Sequence, residues 1–157
     1  MTKNNDLNLK DDCIFCKIVK GEIPSYKIYE DDEYLGFLDI FPNTDGMTLL
    51  IPKNHFDSYA FDMPDEEYSR FLLTAKKLGK ILDEKLQVER TAMVTEGMGV
   101  NHCHIKLYPL HGLGKDFKPM LPEERVFFEK YSGYLTTLLG EMASQEKLTE
   151  IQEKIIK

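Results

Sequence analysis

The chain has 157 residues, 42% of them hydrophobic and 30% charged, a balance that supports one globular domain with its own core rather than a disordered polymer. Twenty basic side chains against 27 acidic ones leave a formal net charge of −7, which argues against a general grip on polymeric nucleic acid. No apolar run approaches the ~20 residues that cross a bilayer, so no membrane partner is expected. The first twelve residues are polar and lack the apolar stretch of a secretory signal, so the expected location is the cytoplasm.

Residues 1–10 read as a flexible arm. Residues 27–29 and 34–38 are short aromatic and aliphatic runs separated by Glu30, Asp31, Asp32 and Glu33, a hairpin signature with its charges at the solvated turn. Phe41-Pro42-Asn43-Thr44-Asp45-Gly46 is a loop by composition, and residues 47–51 form the next strand, stopped at Pro52. Residues 64–86 read as one long helix. Pro64 suits its first position, Asp65, Glu66 and Glu67 suit the positive end of the dipole, and Tyr68, Phe71, Leu72, Ala75, Leu78, Leu82 and Leu86 make one apolar stripe. Residues 91–95 and 102–108 read as two further strands around a Gly97-Met98-Gly99 turn. From Pro122 the pattern is helical again, with apolar positions Val126, Phe127, Tyr131, Tyr134, Leu135, Leu138 and Met142. A last amphipathic piece carries Leu148, Ile151, Ile155 and Ile156; these stripes cover either their own domain or a partner subunit. Helices grouped to one side of a sheet make α+β the expected fold class.

The chemistry concentrates in Asn101-His102-Cys103-His104-Ile105-Lys106-Leu107-Tyr108. Strand alternation puts His102, His104, Lys106 and Tyr108 on one face and Cys103, Ile105 and Leu107 on the other. An imidazole of ordinary pKa, ~6.5, offers a lone pair at neutral pH. Beside an ammonium it is suited to attack phosphorus while the cation stabilises charge on oxygen. The plainer alternative is a pair of histidines satisfied by hydrogen bonds. Upstream, Cys13-x-x-Cys16 brings two thiols together, as a metal pair, a dithiol redox couple or two packed cysteines. Redox versions normally open a helix in a βαβ setting, and the pattern here differs. His55 and His102 are the candidates to complete four ligands; Cys103, on the core face, reads as an inert thiol.

With these residues in place the chain resembles the histidine triad (HIT) family of nucleotide-binding proteins, in its bacterial zinc-containing branch. The likeness extends to Cys13-Ile14-Phe15-Cys16-Lys17-Ile18, Gly21-Glu22-Ile23-Pro24-Ser25, Glu30-Asp31-Asp32, Phe37-Leu38-Asp39-Ile40 and Leu50-Ile51-Pro52-Lys53-Asn54-His55, in the family's order. It covers residues 11–112, about two thirds of the chain, and leaves 113–157 as a C-terminal helical extension. The resemblance implies a five-stranded antiparallel sheet with a packed helix, a homodimer, and hydrolysis or nucleotidyl transfer at the α-phosphorus of a purine nucleoside phosphoramidate or dinucleoside polyphosphate. By the same likeness His104 is the nucleophile that forms a nucleotidyl-histidine. Asp39 accepts from the ribose hydroxyls, and Ile14, Phe15, Ile18, Phe37 and Ile40 surround the base. A structural zinc is implied on Cys13, Cys16, His55 and His102.

Three positions depart from the pattern. Lys106 stands where the family has its third histidine, Met47 where a histidine follows the glycine, and Gly99 where eukaryotic relatives place a serine against phosphate. Lys106 is expected to neutralise phosphate oxygens, with the Gly97 to Gly99 backbone beside it. A lysine is a poor proton donor near neutrality, its ordinary pKa being ~10.4. A leaving group that needs little protonation, such as pyrophosphate or a nucleotide, therefore suits the site better than an amine. The same departures motivate a second reading: a zinc-stabilised nucleotide-binding or partner-binding module with little or no turnover.

Overall fold

The structure, a computed structural model, describes residues 7–136, 141–147 and 150, and the chain divides into two units, 1–116 and 117–157. In the first unit α1 (Ile14–Lys20) precedes strands β1 (Lys27–Glu30), β2 (Tyr34–Leu38) and β3 (Thr48–Pro52). A 3₁₀ turn (Ala60–Asp62), α2 (Asp65–Leu86), β4 (Thr91–Val94) and β5 (Ile105–Pro109) follow. The five strands form one sheet in the order β1-β2-β3-β5-β4, every neighbouring pair antiparallel. The fold is α+β, as the residue pattern indicated.

The hairpin turn works through Asp31. Its carboxylate accepts from the backbone N–H groups of Glu33 and Tyr34, which closes an Asx turn. Of the remaining acids, Glu30 pairs with Lys27 and Lys53, Glu33 pairs with Arg70, and Asp32 is exposed.

Alternation along the strands gives the sheet two covered faces. On one, Tyr34, Leu50, Ile105 and Leu107 pack against Phe71, Ala75, Leu78 and Leu82 of α2. Phe71 and Leu78 are at most 1% exposed, and burial of such a side chain contributes roughly 1.5–3 kcal/mol. Gly36 lets the helix approach: a Cβ there would sit 2.8 Å from Leu78 Cδ2. On the other face Leu35, Phe37, Leu49 and Ile51 pack against Phe15, Cys16 and Ile18 of α1. The two helices thus cover opposite faces; the residue pattern gave no helix over α1 and expected helices on one side of the sheet only.

Several boundaries differ from the sequence reading, each for a local reason. Cys13-x-x-Cys16 does open a helix, with Cys13 as its N-cap, although no βαβ unit surrounds it. That helix ends on Gly21 at φ +79°, whose N–H and that of Glu22 reach back to the carbonyls of Ile18 and Lys17. Pro64 is the N-cap of α2 rather than its first helical residue. The last strand starts at Ile105, because His102 N–H bonds to the Val100 carbonyl and Cys103 N–H to that of Phe56, away from the ladder. Residues 7–10 are tied down rather than loose. Asn8 N–H donates to the Asn54 side-chain oxygen, its side-chain amide donates to the His55 carbonyl, its own carbonyl accepts from His55 N–H, and Lys10 pairs with Asp57.

In the second unit, residues 117–136 form no helix, contrary to the expectation from Pro122 onward. Gly133 takes φ +95°, which a helix cannot continue through, and Val126, Phe127, Phe128, Tyr131 and Tyr134 are weak helix formers. Helical backbone appears at 145–147, behind Ser144, whose hydroxyl accepts from Lys147 N–H. Leu138, Leu148, Ile151, Ile155 and Ile156 lie outside the described residues.

Candidate active site and metal centre

Four donors converge beneath the start of β5. Cys13 and Cys16 come from the N-terminal turn of α1, His55 from the segment after β3, and His102 from the turn before β5. Their donor atoms all lie within 4.8 Å of one another, and all four residues are buried. His102 Nδ1 is 3.5 Å from Cys13 Sγ and 3.6 Å from Cys16 Sγ, and His55 Nδ1 is 3.4 Å from Cys16 Sγ. A tetrahedral zinc with ordinary Zn–S and Zn–N bonds places such atoms roughly 3.4–3.8 Å apart.

The outer contacts fix which nitrogen faces the centre. His102 donates from Nε2 to the Pro52 carbonyl at 2.9 Å, and His55 donates from Nε2 to the Asp57 carboxylate at 3.2 Å. Both imidazoles therefore keep the Nδ1 lone pair for a cation. Burial, with the neighbouring His55 and His104 adding to it, pushes His102 down to about 4, so it stays an uncharged donor. Lys10 N–H points at Cys16 Sγ from 3.4 Å. Burial raises the Cys16 thiol, and the adjacent Cys13 adds to the rise. A divalent cation supplies the charge that converts such a pair to thiolates. The donor set fits a closed, structural metal site: two sulfurs, two nitrogens and no position left for water.

His104 lies on the face that α1 covers, 3% exposed, with Phe15 edge-on at 5.4 Å. Phe15 also meets the rings of Phe37 and His102 edge-on, at 5.7 and 5.8 Å. His104 donates from Nδ1 to the His102 carbonyl at 2.7 Å, which leaves Nε2 as the basic nitrogen. Burial holds the imidazole below its usual pKa and the Lys106 ammonium pushes the same way. The His102 carbonyl, Glu96 and Asp39 pull against them. Lys106 is half-buried in the middle of the sheet, between Leu49 of β3 and Val94 of β4. It has no ion-pair partner among the described residues. Tyr108, two residues on, is raised by burial and by Asp39 and Glu96.

The remaining sequence-predicted positions divide. Phe15, Ile18 and Phe37 are buried together, whereas Ile14 and Ile40 are 47% and 69% exposed and stand apart from that cluster. Asp39 is half-buried at the end of β2, one carboxylate oxygen accepting from Phe41 N–H. Gly99 is exposed, and a Cβ added there meets nothing within 4 Å. Gly97 is different: φ is +76° and an added Cβ would lie 2.6 Å from the Ser58 carbonyl oxygen. Met47 is buried, Cys103 is fully buried with its thiol pushed up to about 11, and His111 donates to the Asp45 carbonyl away from this cluster.

Residue reasoning missed Asp57, the hub that accepts from His55, Lys10 and Asn101. Its place two residues after a candidate ligand was the available signal. It also missed Glu96, which no motif marks.

A family model, the HIT domain, matches residues 20–115. The chain belongs to the HIT family. This HIT protein is 36% identical over 152 residues to an adenosine 5'-monophosphoramidase of Candida albicans, covering 87% of this chain and 96% of the relative. A HIT family crystal structure from Bacillus subtilis matches it with a TM-score of 0.64 at 29% identity, over 93% of this chain and 96% of that one. The crystal structure of a Zn-bound histidine triad family protein from Mycobacterium smegmatis matches with a TM-score of 0.58 at 32% identity, over 68% of this chain and 81% of that one. Among the described residues no helix is long and apolar enough to cross a membrane.

Proposed function

We propose that this HIT protein binds a purine nucleotide conjugate and hydrolyses it, or transfers its nucleotidyl group, at the α-phosphorus. His104 is the nucleophile. The observation that carries the reading is the Nδ1 hydrogen bond to the His102 carbonyl, which directs the lone pair to Nε2 on a ring that burial keeps neutral. Nε2 forms a bond to phosphorus as the bond to the leaving group breaks. Water then cleaves the P–N bond, returning the imidazole and a nucleoside monophosphate. Phe15, Ile18 and Phe37 line the base pocket, with Ile14 and Ile40 at its exposed rim, and Asp39 holds the ribose through its second oxygen. The backbone at Gly97 and Gly99 lies along the phosphate. The adenosine class rests on the named activity of the Candida relative.

The ion on Cys13, Cys16, His55 and His102 is zinc in this reading, supported by the donor set and by the Zn-bound mycobacterial relative. It supplies a cross-link, tying the N-terminal segment to the turn that carries His104. The active form is a homodimer, a state that sedimentation equilibrium reads directly. The function is tested by incubating the protein with an adenosine phosphoramidate and with diadenosine triphosphate. Release of AMP is expected, with a loss of at least ~100-fold in the His104→Asn variant. Unchanged rates in that variant would remove the imidazole from the chemistry, and tight nucleotide binding without release would leave a binding module.

A further inference from the structure

The surroundings of His104 make a demand on the leaving group. Cleaving a P–N bond sends the electron pair to nitrogen, and an amine leaves only if a proton reaches that nitrogen in the transition state. Cleaving a P–O–P bond sends the pair to a phosphate oxygen, which leaves as an anion and needs charge neutralisation rather than a proton. The groups that act on His104 or on Tyr108 are Lys106, Glu96 and Asp39, together with the His102 ring, whose Nδ1 faces Cys13 and Cys16 and whose Nε2 donates to the Pro52 carbonyl. A phenol held above its usual range, as Tyr108 is, is only a weak acid at neutral pH. A lysine ammonium is a compact fixed charge rather than a proton shuttle. Lys106 lies in β5 two residues beyond His104, half-buried, without an ion-pair partner among the described residues. Its neighbours across the sheet, Leu49 and Val94, offer it no charge. An ammonium without an ion-pair partner is a seat for anionic oxygen.

We propose that Lys106 is the specificity-determining residue of this site, selecting substrates whose leaving group is a phosphate joined to the α-phosphorus through a phosphoanhydride, over those whose leaving group is an amine. The assignment rests on the nucleotidyl-His104 reading above. His104 Nε2 bonds to the α-phosphorus, the P–O bond breaks, and its electron pair stays on the departing phosphate oxygen, which Lys106 neutralises. Water then releases the nucleoside monophosphate, its surplus proton going to solvent.

The experiment compares kcat/KM for diadenosine triphosphate and for an adenosine phosphoramidate in the zinc-loaded wild type, Lys106→His, Lys106→Met and His104→Asn. The wild type is expected to favour the anhydride at least ~10-fold. Lys106→His shifts that ratio towards the amidate by ~10-fold or more, and Lys106→Met lowers kcat/KM for the anhydride at least ~10-fold more than for the amidate. A second readout needs no turnover: α,β-methylene-ADP, a non-hydrolysable diphosphate, binds the wild type ~10-fold tighter than AMP, and Lys106→Met closes the gap. A wild type that prefers the amidate, or a ratio and a binding gap that ignore Lys106 while both activities still need His104, overturns this proposal alone. Activity surviving in His104→Asn, or no turnover of either compound by the wild type, overturns the underlying reading together with it.

Discussion

Removing the proposed zinc is the perturbation with the most calculable outcome. All four donors are buried, and they come from three segments of the chain: 13–16, 55 and 102. An ion present at ~1,000 times its dissociation constant stabilises the fold by about 4 kcal/mol. For the 1–116 unit, between the sizes usually tabulated, 1 kcal/mol moves Tm by ~3–5 °C. Chelation is therefore expected to lower Tm by ~12–20 °C without abolishing the fold, because the core between α2 and the sheet contains none of the ligands. The assay pairs differential scanning fluorimetry with elemental analysis and amide exchange. Purified protein should carry about one zinc per chain. After chelation, exchange should rise in residues 8–20, 54–58 and 101–104 while α2 stays protected. A Cys13→Ala/Cys16→Ala variant should show the low Tm from the start and ignore the chelator. Metal-free protein with an unchanged Tm would refute the reasoning, since the four donors would then be satisfied by packing alone.

Two further outcomes follow from single contacts. Asp57→Ala removes the acceptor that holds the His55 ring and should weaken zinc affinity ~10–100-fold, read by competition with a fluorescent chelator. Gly97→Ala, forced to φ +76° against the Ser58 carbonyl, should cost about 1–3 kcal/mol in urea unfolding, whereas Gly99→Ser, with open space at its Cβ, should leave stability within ~0.5 kcal/mol.

Where the sequence was legible, one local rule dominated. Asp31 and its acidic neighbours marked the first hairpin, the stripe from Tyr68 to Leu86 marked α2, and His55 and His102 were paired with the two cysteines from chemistry and family likeness. The elements that escaped were those whose signals are short or distributed. Helix α1 is only seven residues long, and its clearest mark is the Lys20-Gly21 ending rather than any periodicity. Placing α1 and α2 on opposite faces needed Leu49 and Leu50 to be assigned to different layers, which alternation allows but does not choose between. The aromatic spacing after Pro122 looked helical, yet Gly133 and the weak helix formers around it prevailed. Ile14 and Ile40 share the apolar character of Phe15 and Phe37, and hydrophobicity alone does not distinguish an exposed position from a buried one. Glu96 and Asp57 matter through the partners that tertiary structure brings to them.

The account rests on a phosphorus–nitrogen bond forming at one imidazole. Rapid-quench mass spectrometry of the zinc-loaded protein mixed with diadenosine triphosphate reads it directly. The expected result is a peptide containing His104 heavier by one adenylyl group, appearing before AMP and absent from His104→Asn. AMP released with no adduct on that peptide, or with the label on another side chain, would contradict it.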